Sequence, residues 1–357
     1  MSEGTGAGPR TSLFDHASCL HERHPDGPLP DYGEPFPNDP PPSRARRDAR
    51  TDLRRDGADV AAVLDGHFAG DGHPSELAGA LSGLAVPIHR NDHVAAAALR
   101  ADRERVRRTG RWLVRHGAGQ AEVLVGLALL GTDWRDDEDE IALIRMIGLL
   151  SRTFGPLAAA ALERRRHGED ALLWLGDRVD GWGRVHVVEA LCRRAGERSR
   201  RWLRRRACDG DVLNSYFAGR VATVAHLHHA ITTESDDELV DHTGRLPAVL
   251  GHASGMGMDL GRYPPARQVV EAHVAHLARQ GPTRDRFAAA VCLAGLLAGP
   301  GAVAGATREQ RTRLVGRYRA VLDRDEWCRV LDDAEDRWAW LRGTGVALGL
   351  RAFAGAG

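Results

Sequence analysis

Residues 180–206, DGWGRVHVVEALCRRAGERSRRWLRRR, hold two helices in succession, and their pattern decides the fold class. Asp180 supplies a capping carboxylate, and Val185, Val188, Leu191 and Cys192 then form one apolar stripe at helical spacing. His186, Glu189 and Arg193 share a different face at i, i+3 and i+7, with Arg184 in the first turn. A second helix over 197–207 carries most of an arginine cluster.

Working outward, the apolar period stays helical from about residue 51 onward, and no run sustains the alternation of a half-buried strand. The spacing predicts helices near 51–66, 75–84, 92–116, 120–130, 138–153, 156–166, 169–179 and 183–195. It predicts further helices near 214–231, 236–251, 265–280, 284–298, 307–323, 325–336 and 338–350. Gly117-Ala-Gly119, Gly131-Thr-Asp133, Phe154-Gly-Pro156, Gly181, Cys208-Asp-Gly210 and Gly299-Pro-Gly301 punctuate these segments. Many two- to four-turn helices with short links, pairing into units of roughly 30–45 residues, predict an all-α fold. The expected architecture is an α-solenoid of HEAT/armadillo-like antiparallel helical hairpins over 49–357, a single elongated domain with room for an N-terminal subdomain at 49–167. Residues 1–48, rich in proline and charge, are expected to be a disordered arm.

Composition narrows the function classes. Formal net charge is zero, from 49 basic and 49 acidic residues, so no global field draws the chain to nucleic acid or acidic lipid. Every basic residue is Arg, which matches a GC-rich coding bias and excludes a lysine-dependent phosphate loop. Cys19, Cys192, Cys208, Cys292 and Cys328 are scattered and odd in number, which fits a reducing cytoplasm, and the N-terminus has no apolar signal region. The uncharged run 287–306 has the length of a membrane span. Its Ala and Gly content and Gly299-Pro300-Gly301 instead predict a buried helix ending near Ala298, so no membrane partner is expected.

The block Gly181-Trp182-Gly183-Arg184-x-His186-x-Val188-Glu189-x-Leu191, followed by Trp202-Leu203 and Asn214-x-Tyr216, resembles a recurrent block in uncharacterised bacterial proteins with HEAT-like repeats. It covers residues 181–216 of the 357. The resemblance implies a helical-repeat fold and transfers no catalytic residue.

Three kinds of site are legible. The first is a binding surface for a protein or peptide, with Trp182, Arg184, His186, Glu189, Arg193, Asn214 and Tyr216 as its candidates. The plainer reading makes Trp182 a packing anchor between hairpins and the polar residues a solvated face. The second is a nucleic-acid surface. Arg193, Arg194, Arg198, Arg200, Arg201, Arg204, Arg205 and Arg206 crowd into fourteen positions beside Trp202. Alkylpurine DNA glycosylases with HEAT-like repeats combine such a basic channel with aromatic residues and a carboxylate. Trp174, Asp177 and Trp202 are the residues that could take those parts, although their spacing departs from that family's pattern. The acidic runs 136–140 and 234–238 could instead neutralise the arginines. The third is a histidine-liganded metalloenzyme, from His226/His229, from His273/His276 with Glu271, or from His89/His93 beside Asp92. None of these is a complete ligand set, and neither is Cys19-x-His21-x-x-His24. No H-E-x-x-H, G-x-S-x-G or adjacent His-Asp is present, and neither cofactor nor metal is expected. The favoured reading is a non-catalytic scaffold or binding protein.

Overall fold

A computed structural model of the protein describes residues 10–38, 56–252, 257–331 and 339–354. Among the described residues all regular structure is helical, and no strand is present. Contacts divide the chain into two compact units, Met1–Arg194 and Ala195–Gly357. The boundary falls after residue 194, not at 167. Residues 168–194 belong with the helices before them, and Arg194 donates to the carbonyls of Glu163 and Arg165 at 2.8 Å each.

The first unit contains α1 (Leu13–Arg23), α2 (Ala58–Ala69), α3 (Pro74–Leu81), α4 (Asp92–Arg100), α5 (Arg103–His116), α6 (Gln120–Leu130), α7 (Glu138–Gly148), α8 (Ser151–Glu163), α9 (Gly168–Gly176) and α10 (Gly181–Arg194). From α2 on, the even-numbered helices touch in succession, α2 on α4, α4 on α6, α6 on α8 and α8 on α10. The odd-numbered helices α3, α5, α7 and α9 do the same, and sequence neighbours pair along one another as α5/α6, α7/α8 and α9/α10.

Caps explain where the expected boundaries shifted. The helix expected over 92–116 is two, because Ala101 is extended and the Asp102 side chain accepts from Arg105 N, starting α5 afresh. Asp102 followed by Glu104 is a start signal that an unbroken apolar period concealed. Phe154-Gly155-Pro156, expected to be a break, lies inside α8. The chain turns instead at Leu149-Leu150, and both residues are buried.

The expected disordered arm needs correction over its described part, 10–38. Leu13, Leu29 and Phe36 are buried, and Phe36 packs on Phe154 with ring centroids 5.6 Å apart. Asn38 donates to the carbonyls of Thr11 and Ala118, and Arg152 pairs with Glu34 at 3.0 Å. Three large apolar side chains bury enough surface to order a proline-rich segment. The remainder of 1–48 lies outside the described residues.

One ionic cluster sits in the core of this unit. Glu140 and Arg165 are both fully buried and 3.1 Å apart. Arg107 donates its Nε to Glu140 at 2.5 Å and also pairs with Asp137. Asp137 doubles as the cap of α7, and its carboxyl is held below the ordinary range by the backbone N–H of Glu140 and by Arg111 and Arg107, against the effect of burial.

The second unit contains α11 (Glu197–Arg206), α12 (Ala218–Val224), α13 (Leu227–Thr233), α14 (Asp237–Gly251), α15 (Ala266–Leu277), α16 (Arg284–Ala298), α17 (Arg308–Leu322), α18 (Asp325–Cys328) and α19 (Ala339–Ala347). Here α11, α14, α16 and α19 touch in succession, as do α13, α15 and α17, with α14/α15 and α16/α17 as paired neighbours. The expected helix 214–231 is broken into a 3-10 turn and two short helices, with His226 in the left-handed region at φ 50°. α18 passes into a 3-10 turn at Arg329–Leu331, and the rest of the helix expected over 325–336 lies outside the described residues. α16 ends at Ala298, as the sequence predicted. Among the described residues no helix is long and apolar enough to cross a membrane.

Candidate functional site

The two glycines flanking Trp182 are set by helix packing. Gly181 opens α10 at φ +51°, and a Cβ there would meet the Tyr32 ring. At Gly183 a Cβ would overlap both Cβ and Oγ of Ser151, so α8 and α10 approach closely along Ser151, Gly155 and Gly183. This tight crossing leaves the side chain between the glycines outside. Trp182 is 44% exposed, so it does not serve as a buried anchor between hairpins. Its indole stacks on His186 at 6.2 Å and 27°.

His186 is half-buried, and its ring meets His89 edge-on at 5.4 Å. Burial first, then the charges of His89 and Arg193, lower its pKa from 6.5 to about 4, so it is neutral at pH 7. Two turns further on, Arg193 bonds Glu163 of α8 through Nε at 2.8 Å and pairs with Glu189 at 3.6 Å. The predicted face of His186, Glu189 and Arg193 is therefore present, with Trp182 at its head.

Other predicted binders have structural positions. Arg184 is only 9% exposed and donates to the carbonyls of Gly176 and Val179 at 2.9 and 3.1 Å, closing the end of α9. Asn214 belongs to the second unit and is buried. Its Oδ1 accepts from the backbone of Asp209 and Gly210, shaping the loop before the 3-10 turn. Tyr216, also in the second unit, is exposed.

The structure adds a feature that sequence reasoning missed. A groove of about 220 Å³ opens between α4, α6 and α8, bounded by Leu99, Ala128, Leu157 and Trp134, with Arg90 and Arg164 among its lining residues. Leu99 is 73% and Trp134 57% exposed. The groove adjoins the α10 face: His89 touches His186 while Arg90 lines the groove, and Glu163 bonds Arg193 while Arg164 lines it. Trp134, a lone aromatic in the loop Gly131-Thr-Asp-Trp-Arg135, was the available signal.

The arginine helix α11 is extensively compensated. Arg204 pairs with Glu234 at 3.2 Å, Arg205 with Glu234 and Asp236 at 2.5 and 2.6 Å, and Arg206 with Glu238 at 2.6 Å. Hydrogen bonds to Asp236 and Glu234 raise the Arg205 pKa further, against the effect of burial. Trp202 is buried, while Arg198 and Arg201 are exposed. Trp174 is covered rather than offered to a base: His21 meets it edge-on at 5.1 Å, and Arg145 and Arg178 lie over the ring. Asp177 caps the end of α9.

The candidate histidine and cysteine ligands are held in separate local contacts. His226 precedes α13 and so does not share a helical face with His229 as expected. His273 is buried with Nδ1 2.8 Å from Tyr318 Oη. Burial, with His276 nearby, lowers its pKa to about 3. His276 lies 2.8 Å from the Ile231 carbonyl. Cys19 accepts from Arg23, while His21 packs on Trp174. No group of three or more His, Cys, Asp or Glu among the described residues is arranged to hold a metal ion.

The second unit has a larger cleft of about 980 Å³ along α14 and α16, lined by His273, Cys292, Arg245 and Arg286. Arg286 pairs with Asp241 and Asp237, and Arg245 donates to the Cys208 carbonyl. Burial pushes the Cys292 thiol up to about 11, which keeps it protonated and unreactive at neutral pH. Compared with protein-family models, curated proteins and solved structures, the chain matches none.

Proposed function

We propose that this chain is a HEAT-like α-solenoid that works as a non-catalytic binding or scaffold protein, taking a protein or peptide partner on the α4–α6–α8–α10 side of its first unit. The successive contacts of even with even and odd with odd helices support the repeat reading. One observation carries the functional reading: Trp134 and Leu99 at the groove, and Trp182 on the neighbouring α10, are exposed instead of filling the core. Exposed aromatic residues beside a groove are the usual anchors of protein interfaces. Five scattered cysteines, odd in number, support a reducing compartment, the cytoplasm.

Photo-crosslinking tests this reading. A benzophenone amino acid replaces Trp182 in the full chain, and Arg108, exposed on α5, serves as the control position. A protein crosslinked from position 182 and not from 108 supports the reading. Absence of any crosslinked protein overturns it. The competing DNA reading requires salt-dependent DNA binding that weakens when Arg201, Arg204 and Arg205 become Ala, and the ion pairs of Arg204 and Arg205 argue against that outcome.

A further inference from the structure

We propose that the groove between α4, α6 and α8 takes an acidic peptide segment with a single bulky apolar anchor, the anchor entering the groove and the flanking carboxylates meeting Arg90 and Arg164. This inference rests on reading the α4–α6–α8–α10 side as a binding surface, and names the partner's chemistry there.

Size argues first. A volume of about 220 Å³ is below the roughly 300–1,000 Å³ of small-molecule and cofactor sites and suits one side chain. The lining is hydrocarbon: Leu99, Leu127, Ala128, Leu157 and Ala160, with the Trp134 indole at its rim. Arg103 lies 4.7 Å from the centre of that indole and pairs with Asp133 at 2.7 Å, so the ring is held while its outer face stays exposed.

Among the described residues, the groove's interior has no free amide or hydroxyl to read a base edge, which separates a peptide anchor from a nucleic-acid base. Asn91 Oδ1 accepts from the backbone N–H groups of His93 and Val94, while its Nδ2 donates to the Asp56 carbonyl at 2.8 Å. Thr132 donates its hydroxyl to the Leu129 carbonyl. The amide and hydroxyl side chains of the groove are thus engaged internally, and a base entering the apolar interior would lose the hydrogen bonds of its edges.

Charge selects the flanks. No acidic residue is among those lining the groove, and its two charged residues are Arg90 and Arg164. Nearby arginines are matched, Arg100 by Asp65, Arg103 by Asp133 and Arg193 by Glu163. Arg90 and Arg164 are exposed and form no ion pair among the described residues. The mouth is therefore positive around an apolar interior, complementary to carboxylates on either side of an apolar residue.

Fluorescence anisotropy with the full chain and short synthetic peptide pools tests this. One pool has Asp/Glu flanks around a central Leu, Met or Phe; a second replaces the centre with Gly; a third replaces the flanks with Lys. The first is expected to bind about tenfold or more tightly than the others, and to lose about that factor in Arg90→Ser/Arg164→Ser. Arg90→Glu/Arg164→Glu is expected to transfer preference to the lysine-flanked pool, and Ala160→Phe to block all of them. The charge reversal stays informative should Ala160→Phe fail to fold. Equal binding of the glycine or lysine pool, indifference to the charge reversal, or displacement by a short oligonucleotide would overturn the proposal. A protein crosslinked from position 182 together with failure of the peptide pools rejects the groove alone. Failure of both rejects the surface.

Discussion

Replacing Glu140 by Gln tests whether the buried ionic cluster holds the first unit together. Its carboxylate has no solvent access and accepts from Arg107 at 2.5 Å and Arg165 at 3.1 Å. Arg165 is equally buried and otherwise meets only the Ala161 and Leu130 carbonyls among its described hydrogen bonds, at 2.7 and 3.1 Å. The isosteric amide opens no cavity, but it removes the countercharge and turns an N–H₂ group toward cationic donors. Breaking a buried pair by removing one partner costs about 3–5 kcal/mol. For a cooperative unit of this size, that lowers the melting temperature by roughly 6–20 °C. Urea unfolding of the full chain, followed by helical circular dichroism, gives the loss directly. A second variant isolates the cause: Glu140→Leu with Arg165→Leu removes both charges and takes the Arg165 donor from the Ala161 carbonyl, while the Leu130 carbonyl keeps the Asp133 N–H, a cost of about 1–3 kcal/mol. The double variant is thus expected to be more stable than Glu140→Gln. A loss below about 1 kcal/mol for Glu140→Gln, or a double variant less stable than the single, would refute the reasoning.

Three other outcomes follow from the same structure. Gly183→Ala forces α10 away from Ser151 and should cost about 1–3 kcal/mol, with Ser151→Gly restoring most of it; an unchanged denaturation midpoint would contradict the close crossing. Phe36→Ala should cost about 3–5 kcal/mol, because Phe36 is buried against Phe154; an unaffected midpoint would mean that the N-terminal segment contributes nothing. His273 and His186 have folded-state pKa values lowered to about 3 and about 4, so between those values and 6.5 the unfolded chain binds more protons than the folded one. Stability is then full above pH 6.5 and falls with decreasing pH by about 1.4 kcal/mol per unit for each histidine. His273→Asn, which keeps a hydrogen-bonding group opposite Tyr318, should flatten that slope, and an unchanged slope would show that His273 is not its source.

The legibility of the candidate site followed spacing. His186, Glu189 and Arg193 share a face because helical geometry places i, i+3 and i+7 together whatever surrounds them. Arg184 looked equally available two residues before His186, but its guanidinium caps α9, a neighbour that the period of α10 does not reveal. The arginine cluster around α11 reads as a basic patch in sequence. Glu234, Asp236 and Glu238 lie about thirty positions further on and neutralise much of it, because the chain brings α14 back against α11. The groove was hidden for the same reason: its walls come from α4, α6 and α8, and an exposed Trp134 cannot be told from a buried one by its neighbours in sequence.

Local rules settled the helices themselves. Apolar period and Gly or Pro punctuation determined the helical structure of the described residues, the end of α16 at Ala298, and the bounds of α6. Both signals act within a few residues, through backbone hydrogen bonding and one-sided burial. Tertiary structure decided the rest. It ordered residues 10–38 through Leu13, Leu29 and Phe36, divided the chain after Arg194, and put Trp182 outside because Gly183 presses α10 onto Ser151. Each of these depends on what a side chain meets from a distant segment, and burial, charge pairing and close approach are properties of that meeting.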